Sequence, residues 1–150
     1  MDAVNGFTIA IDTREQRPYD FPGAEVKTLP TGDYSIVGFE NRVTIERKSK
    51  ADAYSSLGHG RARFRREWER LTEFEYAAVV IEDSLKGFLI RPPHSKMNPT
   101  SAVCTLLAWS VKYGVQVYFA GDRDHSQALT HKLLEMFWKY RREVGCEHAS

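Results

Sequence analysis

The stretch Leu29–Asp52, LPTGDYSIVGFENRVTIERKSKAD, decides how this chain is read. Asp33–Val37 (DYSIV) and Arg42–Arg47 (RVTIER) are β-rich runs, and Gly38–Asn41 between them is a loop of hairpin length. With that loop Val37 pairs with Arg42, and counting back along both strands sets Asp33 opposite Glu46. Directly opposed side chains have Cβ atoms about 5 Å apart, so two carboxylates there repel unless something neutralises them. Glu46 and Lys48 share one face of their strand, while Arg47 points to the other.

Two carboxylates and a lysine converging at a hairpin suit metal-dependent phosphodiester hydrolysis. The carboxylates hold a divalent cation beside a scissile phosphate, and the lysine positions or activates the attacking water. Asp12, at the end of the run Phe7–Asp12 (FTIAID), and Glu15 just beyond it reach toward the same edge and add acidic groups. Spacing alone leaves a second reading open, in which Asp33, Glu46 and Lys48 form a cross-strand salt-bridge set on an exposed sheet.

Working outward, Phe7–Asp12 alternates as a half-buried strand, Glu25–Leu29 reads as a second short strand, and Ala77–Ile81 (AAVVI) as one buried on both faces. From Gly60 to about Glu75 the period turns helical, with Phe64, Trp68 and Leu71 on one stripe and Arg63, Arg66 and Arg70 opposite. Asn98 and Pro99 suit the N-cap and first position of a helix running to Tyr113 and closed by Gly114. Val115–Ala120 is a further strand, and Leu129, Leu133, Met136, Phe137 and Tyr140 mark a long final helix. Ile90–Thr100, with its three prolines, reads as an exposed loop. A mixed sheet flanked by helices, α/β or α+β, is the expected assembly.

At 150 residues the expectation is one domain spanning 1–150. The formal net charge of +1 excludes a globally basic nucleic-acid binder, so DNA affinity must be local. It is local: from Arg42 to Arg66, eight Lys or Arg against Glu46 and Asp52 leave the segment at +6. The alternative is a solvated helix face, since Glu67, Glu69, Glu73 and Glu75 follow at helical spacing; DNA contact is the favoured reading of the patch. The expected location is inside a cell, at the nucleoid or in a phage host, because Cys104 and Cys146 read as free thiols and no run is long enough to span a bilayer. The five histidines show no metal-ligand spacing, no serine has a histidine partner, and Trp68, Trp109 and Trp138 read as core residues.

Three strings resemble the motifs of the XPF-type (XPF/MUS81-like) structure-specific nucleases: Ile11–Gln16 (IDTREQ), Leu29–Ser35 (LPTGDYS) and Ile45–Asp52 (IERKSKAD). The hallmark is GD, a gap, then ERK and a later D, here Gly32-Asp33, Glu46-Arg47-Lys48 and Asp52. Ser55–Leu71 is similar to the family's arginine-bearing helix, and Ala78–Glu82 to its buried strand. The resemblance implies a restriction-endonuclease-like core of the PD-(D/E)XK type that cuts branched, flapped or nicked DNA with Mg²⁺, or Mn²⁺ in its place. It implies metal ligands at Asp33 and Glu46, with Glu15 added, Lys48 beside the water, and Arg47 and Asp52 in support. Asp12 and Glu15 match the family's DxRE motif, which makes Arg14 a candidate phosphate contact; Arg61, Arg63 and Arg66 are the others, with the match to the family arginine open between Arg61 and Arg63.

Two departures stand out. Relatives carry a tandem helix-hairpin-helix module after this domain, and none is expected here; many have glutamine where this chain has Glu67. DNA is the expected partner, with a homodimer or an accessory DNA-binding subunit in addition, the former suggested by Phe137, Trp138 and Tyr140 on the last helix. The rival expectation is a catalytically silent DNA-binding or scaffolding partner of a nuclease.

Overall fold

A computed structural model of the chain describes residues 6–144, so Cys146 and His148 lie outside the described residues. One six-stranded sheet runs through the molecule: β1 (Ile9–Asp12), β2 (Glu25–Lys27), β3 (Tyr34–Ile36), β4 (Val43–Lys48), β5 (Tyr76–Ile81) and β6 (Gln116–Phe119). The spatial order is β2-β1-β3-β4-β5-β6. β1, β3 and β4 are successively antiparallel, while β2 lies parallel to β1 and β4, β5 and β6 are mutually parallel. The sheet is mixed, as its alternating and continuous apolar runs require.

Strand alternation divides the core in two. Val79 and Ile81 of β5 face a layer of α1 (Lys50–Leu57), α2 (Arg61–Leu71), α3 (Leu85–Phe88) and α4 (Pro99–Tyr113). Ala78 and Val80 face the opposite way, with Ile9, Ile11, Tyr34 and Ile45, onto Leu134 and Phe137 of α5 (Arg123–Arg141). The Phe64, Trp68 and Leu71 stripe is fully buried, and the Phe64, Trp68 and Trp109 rings pack at 5.7–6.0 Å between centroids. Phe137 is likewise committed to the core, whereas Tyr140 is 63% exposed. Among the described residues no helix is long and apolar enough to cross a membrane.

Caps set several boundaries. Asn98 Oδ1 accepts the Ser101 N–H at 3.1 Å, Pro99 occupies the first turn, and Gly114 ends α4 at φ 67. The hairpin holds its expected register, with Tyr34 opposite Ile45. Its strands are shorter than their β-propensity suggests, because Val37 donates its N–H to Thr8 C=O at 2.8 Å, outside β4. The chain between them turns through Phe39 N–H to Ile36 C=O and Arg42 N–H to Phe39 C=O. α2 ends at Leu71, four residues before the expected Glu75. Thr72 N–H falls back on Glu69 C=O and Glu73 N–H on Arg70 C=O, tightening the last turn, and Arg42 forks onto the Glu75 carboxylate. α1 and α3 are additional elements, each opened by a serine cap, Ser49 and Ser84.

Gly32 is the tightest point of the hairpin. Its φ is +86, and a Cβ there would sit 2.0 Å from Thr44 Oγ1, which donates to Thr31 C=O at 2.7 Å. A side chain at position 32 would be strained and would also push Thr44 off its acceptor. Gly32→Ala is expected to cost about 2–3 kcal/mol and lower the thermal midpoint by roughly 5–10 °C, read by calorimetry. An unchanged midpoint would mean that the turn relaxes freely.

Candidate active site

Asp33 and Glu46 meet where the β3–β4 ladder ends. The Asp33 N–H donates to Ile45 C=O at 2.9 Å, and Asp33 Oδ2 accepts the Arg47 N–H at 2.8 Å, so a side-chain oxygen takes the place of a backbone acceptor. Glu46 is 6% exposed. Lys48 Nζ stands 3.5 Å from Glu46 Oε2, donates to Ser56 Oγ at 3.2 Å, and lies 4.9 Å from the centre of the Phe64 ring. Burial pushes Asp33 up to about 7, helped by the charges of Glu15 and Glu67 and opposed by the Arg47 N–H and Lys48. Burial also raises Glu46 well above its ordinary range, with Asp33 and Glu67 adding to the effect. Two recessed carboxylates beside one another thus resist ionising together unless positive charge offsets them.

Arg47 faces the other side of the sheet. Its Nε and Nη2 grip both oxygens of Glu15 at 2.7 Å, and its Nη1 donates to Glu82 Oε1 at 3.0 Å. Tyr19 Oη, at 2.6 Å, and Arg123 Nη1, at 3.4 Å, complete the ring around Glu82. Burial raises Glu15, but Arg47 and the Arg17 N–H overcome it and hold this carboxyl below its ordinary value. The Glu15 oxygens are therefore engaged by Arg47 and not grouped with Asp33 and Glu46; acting as a metal ligand would require Arg47 to release them.

Asp12 and Arg14 form a second clamp. Asp12 is 3% exposed and accepts from Arg14 Nε at 2.8 Å, Arg14 Nη2 at 3.0 Å and the Leu29 N–H at 2.8 Å. Arg14 Nη2 also donates to Leu29 C=O at 2.7 Å. Burial raises Asp12, and these bonds outweigh it, so its carboxyl is held below the usual range. The DxR part of the motif thus staples down the loop that carries Gly32 and Asp33. Asp52 is exposed in the first turn of α1, where its N–H meets the Ser49 cap.

Above the carboxylates lies a small cleft of about 220 Å³ that includes Asp12, Asp33, Glu46, Glu67 and Arg70 in its lining. It adjoins a groove of about 1060 Å³ that contains Lys48, His59, Arg63, Arg66 and Arg70, and Arg14, Glu67 and Arg70 border both. Arg61 turns away: it donates to Leu57 C=O and Thr105 Oγ1 and lies over the Trp109 ring. Sequence reasoning undervalued Glu67 and Arg70. Their one-turn offsets from Arg63 and Arg66 were legible, but the tilt that brings that side of α2 over the hairpin was not.

Among the described residues no three His, Cys, Asp or Glu side chains converge into a cluster able to hold a metal. The donor chemistry nonetheless fits one hard cation. Mg²⁺ is commonly bound through one or two carboxylates with water and substrate phosphate oxygens filling the remaining positions, and Asp33 and Glu46 supply such a pair.

The ERCC4 domain family model matches residues 11–133. XPF from Aeropyrum pernix superimposes with a TM-score of 0.69 at 21% identity, covering 91% of this chain and 63% of that one. XPF from the same organism in complex with DNA gives a TM-score of 0.68 at 23% identity, covering 91% of this chain and 67% of that one. The chain thus spans under two thirds of the first of these structures. No curated protein matches. The family match covers the hairpin, both clamps and the arginine-bearing helix, and the fold agrees: this chain belongs to the ERCC4 domain family and has the XPF-type nuclease fold.

Proposed function

We propose that this domain is a Mg²⁺-dependent endonuclease that hydrolyses DNA phosphodiesters, acting on branched, flapped or nicked DNA in repair, recombination or replication. The observation that carries the proposal is the buried Asp33–Glu46 pair with Lys48 beside it, at the foot of a groove lined by arginines. Asp33 and Glu46 would hold the cation, with Mn²⁺ as a substitute. The chemistry such an ion supplies when bound is polarisation of the phosphoryl oxygen and a lowered pKa for bound water.

The chain's own residues do the rest. Lys48, kept between Glu46 and Ser56 and backed by the Phe64 ring, orients the attacking water. The Arg47 N–H fixes the Asp33 carboxylate, and the Glu15–Arg47–Glu82 network fixes Arg47. Arg63, Arg66 and Arg70 take backbone phosphates in the groove, with Arg14 at its border. The Asp12–Arg14 clamp keeps the Asp33 loop in place, and the exposed Asp52 is left without a separate catalytic step.

The test is metal-dependent cutting of labelled duplex, nicked, flapped and branched DNA. Lys48→Ala is expected to lower kcat by about 10²–10⁴-fold while leaving DNA affinity in EDTA within a factor of about three. Equal cutting by both proteins would overturn the assigned chemistry. Binding of branched DNA with no cleavage in either Mg²⁺ or Mn²⁺ would favour the silent scaffold.

The metal leaves a trace that needs no turnover. Asp33 has a folded pKa raised above its unfolded value of 3.8, so its contribution to stability is complete below that value and is lost as pH rises through about 7. A cation competes with the same proton. The gain in thermal midpoint on adding Mg²⁺ is therefore expected to grow from about pH 6 to about pH 8, and to vanish in Glu46→Ala. A gain independent of pH would argue against this site.

The groove makes a further distinction. Arg63→Ala should weaken duplex binding and reduce the dependence of log affinity on log salt by about one, whereas Arg61→Ala should leave that slope unchanged. The reverse result would move the phosphate track to the α4 side.

A further inference from the structure

A second cavity opens beside the groove, between α1 and the proline loop that precedes α4. Its volume is about 700 Å³, and Ala51, Tyr54, Pro92, Pro93, His94 and Met97 form most of its wall. Ser55 and His59 border both this cavity and the arginine-lined groove, so the two adjoin along that side of α1. Their chemistries differ. The groove carries Lys48, Arg63, Arg66 and Arg70. The cavity is walled by proline rings, a methionine and an aromatic ring, with Lys96 and two histidines and no acidic residue in its lining.

The cavity has a firm base. Tyr54 is 2% exposed and donates its hydroxyl to Phe88 C=O at 2.5 Å, while Lys50 Nζ donates to Gly87 C=O at 3.2 Å and Ile90 C=O at 3.0 Å. These bonds anchor the start of the proline loop to α1. The loop is further turned by Ser95 N–H to Pro92 C=O and Met97 N–H to Ser95 Oγ. A largely apolar slot adjoining a cationic groove, with Ser55, Ser95, His59 and His94 also in its lining, matches a molecule whose anionic backbone bears a flat ring with apolar faces and polar edges. Within a paired duplex that ring is stacked and out of reach; where pairing is interrupted it is free to turn out.

We propose that this cavity accepts an unpaired nucleobase while the adjoining strand lies in the arginine groove, so that the nuclease domain itself selects DNA with a pairing defect. The proposal rests on the reading of the groove as the DNA track. The base enters between the Pro92–Pro93 edge and α1, with Ser55 and His59 on the side shared with the groove and Lys96 also in the lining. Such a pocket supplies structure selectivity from within this domain.

The experiment measures binding in EDTA to a fully paired duplex and to the same duplex carrying one unpaired 2-aminopurine at a nick. Two variants are compared with the full chain: Ala51→Leu, which fills the slot from an exposed helix position, and the loop variant Pro93→Ala/His94→Ala. The full chain is expected to prefer the unpaired-base DNA by about fivefold or more and to change the 2-aminopurine emission on binding. Both variants should lose that preference and that change while binding the paired duplex as before. Loss of paired-duplex binding to the same extent as unpaired-base binding would overturn the pocket while leaving the groove intact. So would unaltered preference in both variants, the result expected if the slot receives a protein segment instead. Failure of the full chain to bind either DNA would overturn both the pocket and the proposed function.

Discussion

The buried guanidinium of Arg47 joins segments that are far apart in sequence. Its side chain grips Glu15 beyond β1 and Glu82 beyond β5, and its backbone N–H holds Asp33 at the start of β3. An arginine so enclosed is tolerable because two carboxylates take its N–H groups, and the Tyr19 ring lies 6.0 Å from it. Removing one partner of such a set typically costs several kcal/mol, since the remaining charges stay buried and unmatched. Strand alternation then does something local propensity cannot: the residues on either side of Arg47, Glu46 and Lys48, face the opposite layer. One strand of six residues thereby anchors the sheet on one face and carries the acidic pair and lysine on the other.

The two faces follow opposite electrostatic logic. On the α5 side, negative and positive groups are matched, and Glu15 is held ionised. On the α2 side Asp33 and Glu46 sit beside Glu67, Lys48 and Arg70, and burial drives the first two toward protonation. Stability alone would not preserve two such acids. Strongly shifted acids beside a cationic groove are an arrangement that clusters at functional sites.

Much of this was legible in the chain. The Gly38–Asn41 loop gave the hairpin register, because a four-residue connection leaves few ways to pair the strands, and Tyr34 does lie opposite Ile45. Asn98, Pro99 and Gly114 marked both ends of α4 because each answers a specific backbone need. What was hidden depended on contacts between elements. Arg61 and Arg63 stand two apart and so on nearly opposite sides of α2; Arg61 shares the side of the Phe64 and Trp68 stripe, and which partners it meets there, Thr105 and Trp109, depends on α4 packed alongside. Glu15 read as one more acidic group near the site until Arg47 was seen to occupy both its oxygens. α1 went unread because Ser49 opens it without a clear apolar stripe behind the cap, and only Ala53, Tyr54 and Leu57 bury.

The register of the hairpin also bears on how the site is assembled in time. The bond between Arg47 N–H and Asp33 spans 14 residues of chain, whereas the arginine's grips on Glu15 and Glu82 span 32 and 35. Closing the longer loops costs roughly 0.7 kcal/mol more chain entropy apiece. On chain entropy alone the Arg47–Asp33 bond, and with it the hairpin that carries the carboxylate pair, is therefore the cheaper contact for an unfolded chain to close.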